Sequence, residues 1–250
     1  TVGAFRHSFT SLTSTGDPPA MARYQTSSEW QPTSDTVYGR WHWRPAPDMQ
    51  AQLQLDHSRM ALDPRARYNN TFSGYRDSFS YELGERTGIE QTLNWRINAR
   101  QQLQAGLGWQ KYHAVIAASL AAPYDPGLSA HAQGQLYPNT PLPAQIHDDG
   151  FHNFSAYAQL QSQWSDALST STGLRLDRHS RYGSSINPRL GAVYKPRERH
   201  VFKLLYGEAF RAPSPEESLS TMGTFSGAQD AHGNYIGTNF RVPNFHLKPE

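Results

Sequence analysis

Residues 154–177 read FSAYAQLQSQWSDALSTSTGLRLD. From Phe154 to Trp164 the even positions are Phe, Ala, Ala, Leu, Ser and Trp. The odd positions from Asn153 to Gln163 are Asn, Ser, Tyr, Gln, Gln and Gln. After Ser165-Asp166-Ala167 the alternation resumes, with Leu168, Thr170, Thr172, Leu174 and Leu176 on one side and Ser169, Ser171, Gly173, Arg175 and Asp177 on the other. A period of two sends alternate side chains to opposite faces of a strand. Each arm is about 11 residues long, the length with which a tilted strand crosses a bilayer. An apolar-out, polar-in hairpin on so short a turn predicts a wall segment of a transmembrane β-barrel with a wet interior.

The same pattern recurs outward from this hairpin. Val37, Gly39, Trp41 and Trp43 oppose Tyr38, Arg40, His42 and Arg44, and Met49, Ala51, Leu53 and Leu55 oppose Gln50, Gln52, Gln54 and Asp56. Ile89, Leu93, Trp95 and Ile97 oppose Glu90, Thr92, Asn94 and Arg96, and Leu103, Ala105, Leu107 and Trp109 oppose Gln102, Gln104, Gly106 and Gln110. Further strands are expected at about 186–194, 200–210 and 239–247, and one at the start of the chain, about ten in all. Pro188 removes a ladder donor and is expected at a strand start or bulge.

Connections alternate in length. Short ones sit at 45–48, 98–100, 165–167 and 196–199, and long ones at roughly 11–35, 59–86, 114–150 and 211–238. The turn near Arg181-Tyr182-Gly183 is the one short link on the long side. Long loops on one side and short turns on the other is the outer-membrane arrangement. It places Trp43, Trp95, Trp164 and Tyr194 together at the short-turn end, the depth that amphipathic rings favour at a membrane surface.

Composition excludes several alternatives. The 250 residues carry a net charge of +2 with no Lys/Arg cluster, so nothing points to nucleic acid. Cysteine is absent, which removes disulfides and thiolate metal sites. Charged residues are 18%, below the usual ~25%, and aromatics are 12%, which suits lipid-facing strands with ring girdles. No signal peptide is visible and Thr1-Val2-Gly3-Ala4-Phe5 already reads as strand, so the chain is expected to be a segment of a longer protein.

Four ordered blocks go beyond pattern. Gly173-Leu174-Arg175-Leu176-Asp177 is followed by Asn187-Pro188-Arg189-Leu190-Gly191. Phe210-Arg211-Ala212-Pro213-Ser214 and Leu247-Lys248-Pro249-Glu250 come next. Together they resemble the barrel of TonB-dependent outer-membrane receptors, in which such blocks occur in this order. The resemblance covers about 173–250, and the remainder fits by alternation alone. It implies a bacterial outer-membrane barrel of about 22 strands filled by an N-terminal plug. Such a receptor imports a scarce ligand, typically a ferric siderophore or similar chelate, with energy from TonB. Residues 1–250 would then be a central, open and curved part of the barrel, lacking the plug and the C-terminal strands. Pro243-Asn244-Phe245-His246 departs from the tighter family form before Leu247 and is read as variation within a strand.

The resemblance implies that inward residues meet the plug: Arg40, His42, Glu90, Arg96, Gln159, Gln161, Arg175, Asn187 and Arg189. Candidate ligand contacts in the loops are Tyr124, Tyr137, His147, Asp148, Asp149, His152, Arg211, Phe225 and Tyr235. Tyr24, Trp30, Tyr68 and Tyr75 are further loop aromatics able to grip a ligand or to pack loop on loop. His147, Asp148, Asp149 and His152 suit hard or borderline cations by type, yet their spacing matches no metal motif. Arg211 is expected to tie a strand end to Glu216 or Glu217. Asn69-Asn70-Thr71 and Asn153-Phe154-Ser155 match a glycosylation pattern by chance in a bacterial protein. No cofactor and no catalytic group is expected. The competing readings are a small closed barrel acting as an enzyme or pore, and a secreted β-sandwich module.

Overall fold

Every period-two segment pairs with its neighbour in sequence. The computed structural model describes residues 1–12, 29–67, 78–197 and 199–250. Tyr24, Tyr68, Tyr75, the Asn69 pattern and Glu198 of the last short turn lie outside the described residues. The strands are β1 (Val2–Ser8), β2 (Ser11–Leu12), β3 (Glu29–Trp30), β4 (Pro32–Trp43), β5 (Met49–Leu62), β6 (Phe79–Asn98) and β7 (Gln101–Leu120). They continue with β8 (Ile146–Gln163), β9 (Leu168–His179), β10 (Gly183–Arg197) and β11 (His200–Gly207). A five-residue helix α1 (Pro215–Leu219) then precedes β12 (Met222–Gln229) and β13 (Tyr235–Arg241).

Nine of these form one antiparallel sheet in the order β1-β4-β5-β6-β7-β8-β9-β10-β11, without a crossover. β1 and β11 are its edges and do not pair with each other, so the wall is open, not a closed small barrel. The β8–β9 register sets Ala158 opposite Leu174 and Tyr157 opposite Arg175, as alternation requires. Among the described residues no helix is long and apolar enough to cross a membrane.

The outward face is a band of exposed apolar side chains, among them Trp41, Leu55, Ile89, Leu107, Phe154, Leu174, Leu176 and Leu190. On β8 the band runs ten steps from Phe154 to Trp164. At ~3.4 Å per residue that is about 34 Å of strand, or about 24 Å of height at a 45° tilt, against the ~25 Å apolar belt of outer-membrane barrels. At the short-turn end the indoles of Trp95 and Trp164 donate to Asp48 Oδ2 (2.7 Å) and Thr170 Oγ1 (2.8 Å). Each ring thus keeps its polar edge satisfied and leaves its apolar body free, the arrangement that suits a ring at a membrane surface.

Three expectations are corrected. First, β6 and β7 continue to Phe79 and Leu120, and β8 begins at Ile146, so two of the long connections are shorter than the sequence suggested. Above the apolar band both faces of this wall are covered, which erases alternation in Val115-Ile116-Ala117. Its outward side packs Ala61, Tyr81, Val115, Ala117 and Leu120 against Tyr124 of the β7–β8 loop, the main hydrophobic core. Second, 239–247 is not a wall strand. β13 pairs with β12 in a separate hairpin inside the connection after β11, and Pro243, lacking an N–H, ends that pairing. The wall therefore has nine strands, where the sequence suggested about ten. Third, Pro188 sits within β10 in unbroken register opposite Leu174. Its carbonyl accepts from Glu208 N (3.0 Å), just past the end of β11 at Gly207. The missing N–H therefore faces a place where the ladder has already stopped, and it costs little.

The short helix is set by a local signal in Ser214-Pro215-Glu216-Glu217. Ser214 Oγ accepts from Glu217 N (3.1 Å), and the Glu217 carboxylate accepts from Ser214 N (2.8 Å). This is a reciprocal capping box with proline at the first helical position.

Candidate ligand-facing inner wall

The strand registers place all nine expected inward residues on one face. Arg40 opposes Gln54, which opposes Glu90, and His42 opposes Gln52. Arg96 opposes Gln102, which opposes Gln161. Gln159 opposes Gly173, which opposes Arg189, and Arg175 opposes Asn187. This face carries two chemistries at two heights. Toward the short turns it is a field of amides and hydroxyls: Gln102, Gln104, Asn94, Gln159, Gln161 and Ser171. Toward the long loops it turns to paired charges and rings.

Asp56 takes Arg86 at 2.5 Å and a hydrogen bond from Gln54 (3.3 Å), which in turn accepts from Arg40 Nε (2.8 Å). Asp177 is buried. It accepts two bonds from Arg175 (2.8 and 2.9 Å) and one from Asn153 Nδ2 (3.2 Å). A fork of this kind fixes both side chains and neutralises a carboxylate that could not remain buried alone. Gly106 leaves room for the Tyr157 ring to lie flat on β7, because a Cβ there would meet the ring at 2.5 Å.

Above these pairs runs a line of rings. Tyr112 stacks on Phe151 (4.8 Å between centroids), Phe151 meets His179 (5.0 Å), and His179 meets Tyr182 (4.9 Å). Tyr112, Phe151, His179, Arg86 and Arg175 line one concave cavity of about 980 Å³ that reaches across to Phe210 and Pro213 at the rim. Aromatic faces beside guanidinium groups suit a flat, anionic ligand.

The loop candidates fall elsewhere. His147, Asp148, Asp149 and His152 lie on β8, and alternation sends them to two faces. His147 bonds Thr221 (3.0 Å), Asp148 bonds His113 (2.8 Å), Asp149 pairs with Arg181, and His152 is exposed on the outward face. Among the described residues no group of three or more His, Asp or Glu could hold a metal ion. Burial lowers the pKa of His147. Burial opposes protonation of His113 too, but its bonds to Asp148 and Glu85 outweigh that and raise its pKa. Tyr124 is buried and stacked on Tyr81 (4.4 Å), and Tyr137 is buried against Phe225 (5.5 Å), which in turn meets Phe240 (5.2 Å). These rings pack loop on wall. Tyr235 opens β13.

Arg211 pairs with Glu217, as expected, and also with Glu250 (3.3 Å). The backbones of Arg211 and Glu250 exchange two hydrogen bonds (3.0 and 3.1 Å). The Phe210–Ser214 and Leu247–Glu250 blocks, far apart in sequence, thus meet at the rim, where Glu216 also pairs with Arg241. Sequence reasoning missed the line Tyr112–Phe151–His179–Tyr182 because its alternating sets stopped at Gln110, Asn153 and Asp177, short of these rings. The signal was there: Gln110, Tyr112 and Ala114 continue the inward set past Trp109.

Residues 2–250 match the family described as TonB dependent receptor-like, beta-barrel. The chain belongs to that family. No curated protein is significantly similar to the receptor barrel in sequence. Three solved structures share its fold. The ferric enterobactin receptor PfeA, of Pseudomonas aeruginosa, is 16% identical with a TM-score of 0.58, covering 94% of this chain and 33% of that one. The FrpB iron transporter of Neisseria meningitidis is 13% identical at 0.57, covering 85% and 35%. The siderophore receptor PirA of Acinetobacter baumannii is 19% identical at 0.53, covering 88% and 31%. The receptor barrel therefore spans about a third of the length of these relatives. The family is one of bacterial outer-membrane transport receptors.

Proposed function

We propose that the intact protein sits in the bacterial outer membrane and imports a scarce nutrient, most simply a ferric siderophore or similar iron chelate, in a TonB-driven cycle. Residues 1–250 are then one part of its barrel domain, and the plug and the remaining strands belong to other parts of the protein. Iron is cargo here, with no resident cofactor and no catalytic step. One observation carries the reading: the nine-strand open wall is apolar on its outward face and hydrogen-bonding on its inward face. Two unpaired edges in such a wall call for further strands, because unpaired backbone in lipid is costly.

Within that reading Arg40, His42, Glu90, Arg96, Gln159, Gln161, Arg175, Asn187 and Arg189 meet the protein's own plug. The ring line from Tyr112 to Tyr182 meets the chelate on its way in. The named cargoes of the similar structures support the cargo class. The test is growth under iron restriction with single chelates, in cells with and without the intact gene. Loss of growth on at least one chelate, restored by the gene, is expected. Unchanged growth on every chelate and on every other scarce nutrient tried refutes the transport reading.

A further inference from the structure

The link between β9 and β10 is short, and a histidine meets its backbone donors. His179 opposes Gly183, whose φ of 78° closes the turn around Ser180-Arg181-Tyr182. The amides of Arg181 and Tyr182 both donate to His179 Nδ1 (3.1 and 3.3 Å). In turns such bonds are ordinarily accepted by Asp, Asn or Ser. A backbone N–H can only donate, so Nδ1 carries no proton, and the neutral ring holds its one proton on Nε2.

With Nδ1 turned to the loop, the opposite ring edge is left for the cavity that His179 lines. The ring is buried between Phe151 (5.0 Å) and Tyr182 (4.9 Å), which hold that edge in place. Among the described residues no group accepts from Nε2–H. Directly opposite on β8 stands Asn153. Its amide is fixed too, because Nδ2 donates to the Asp177 carboxylate (3.2 Å), which can only accept. Asn153 Oδ1 is then buried beside the same cavity, with no hydrogen-bond partner among the described residues.

Residues opposed across two strands have Cβ atoms about 5 Å apart. The wall thus offers an unmet donor and an unmet acceptor side by side. Both are uncharged, and the charged groups nearby, Arg175 with Asp177 and Arg181 with Asp149, are already paired. An unmet buried donor or acceptor costs free energy, and a guest that pairs with both relieves it. An anionic oxygen suits Nε2–H but is repelled by Asn153 Oδ1 and Asp177. An ammonium suits Oδ1 but is repelled by Nε2–H. A neutral group that both accepts and donates, a hydroxyl or a carboxamide, satisfies the two together.

We propose that His179 and Asn153 form a neutral donor–acceptor subsite for a hydroxyl or carboxamide carried by the imported chelate. The subsite deepens the uptake reading above and rests on it. His179 is then a specificity-determining residue: the turn fixes its tautomer, and the tautomer fixes what it can hold.

The test uses the full-length receptor in lipid, isotope-labelled at histidine nitrogen, and gallium(III) tris-catecholate complexes that share one charged core. Their rings carry a carboxamide, a hydroxymethyl group or no substituent. Solid-state NMR should show His179 as a neutral ring protonated at Nε2, identified by the signal that His179→Asn removes. The carboxamide and hydroxymethyl complexes should move that signal and bind about tenfold more tightly than the unsubstituted one. Preference for one of them alone supports the subsite and names its guest. His179→Asn keeps an acceptor for the turn and removes the donor. It should erase the preference and leave binding of the unsubstituted complex unchanged, which separates the subsite from folding. Asn153→Leu, which leaves the turn intact, should erase the same preference. A ring protonated at Nδ1 or on both nitrogens overturns the proposal. So do equal binding of the three complexes, a preference that survives both substitutions, and an Nε2 signal that no complex moves. Growth under iron restriction separates the two readings. Gene-dependent growth without this preference removes the subsite alone, whereas growth that never depends on the gene removes the uptake reading.

Discussion

Leu174→Arg tests the central assignment, that the outward face meets lipid. Leu174 lies on β9 opposite Ala158 and Pro188, and its side chain is 46% exposed on the outward face. Ala158 is four steps from Phe154 and six from Trp164 along β8, which puts Leu174 close to the middle of the apolar belt. A guanidinium at the midplane of such a belt costs about 2–4 kcal/mol, and near either surface about 0–1. Snorkelling offers little relief, because either surface is roughly 10–14 Å away after tilt. On a water-exposed sheet the same change is worth within about 0.5 kcal/mol. The neighbouring inward position supplies the control, since Gln159→Arg keeps its charge in the wet interior. The assay is denaturant unfolding of the full-length receptor in lipid vesicles, followed by the loss of heat-modifiable migration. A loss of about 2–4 kcal/mol for Leu174→Arg, with less than about 1 for Gln159→Arg, is expected. Equal effects at both positions, or no effect at Leu174, refute the assignment of faces.

Four further outcomes follow from named contacts. Gly106→Val should destabilise the wall by about 1–3 kcal/mol through overpacking against Tyr157, while Gly39→Ala, where a Cβ meets nothing within 4 Å, should change little in the same unfolding assay. Asp177→Ala should cost about 1–3 kcal/mol, because Arg175 and Asn153 lose a shared buried acceptor, and a thermal melt in detergent measures it. Phe151→Ala should raise the chelate concentration for half-maximal uptake at least tenfold while leaving assembly in the membrane intact. Glu82, seven residues above Ile89 and so beyond the lipid belt, has its pKa pushed up to about 7 by burial and then by Glu216, with Arg241 opposing. Between 4.5 and about 7 the folded state keeps a proton that the unfolded state releases, so stability of this upper wall should fall as pH rises through that window. Hydrogen exchange of α1 and β12 should speed up across it, and Glu82→Gln should abolish the dependence.

The part of the fold that crosses the membrane was legible because lipid and water impose opposite demands on alternate residues. In β8 and β9 nothing else competes, and the period of two reads directly as a face assignment. Legibility ends where the wall leaves the bilayer. At Val115-Ile116-Ala117 the β7–β8 loop covers one side and the segment carrying α1 and β12 approaches the other, so both faces become apolar and a strand reads as a connection. Ser214-Pro215-Glu216-Glu217 did announce its helix, but one turn falls below what periodicity can detect. Glu250 as the partner of Arg211 could not be read at all. That pair depends on the path of the whole segment between them, and no local spacing encodes it.

The inner wall explains why single loop residues were poor guides to a site. Tyr124, Tyr137 and Phe225 are aromatic because they close the small cores that hold the loops, and each is buried. His147, Asp148 and Asp149 are each committed to a different partner on a different element. The groups left facing the cavity belong instead to the strands, where neighbouring registers hold them in a fixed line: Tyr112 on β7, Phe151 on β8 and His179 on β9. A strand fixes a ring's direction through its ladder at no further entropic cost, whereas a loop must order itself around each ring it presents. If the proposed uptake route is right, the height at which the wall changes from amides to paired charges and rings is therefore the height at which ligands are first told apart.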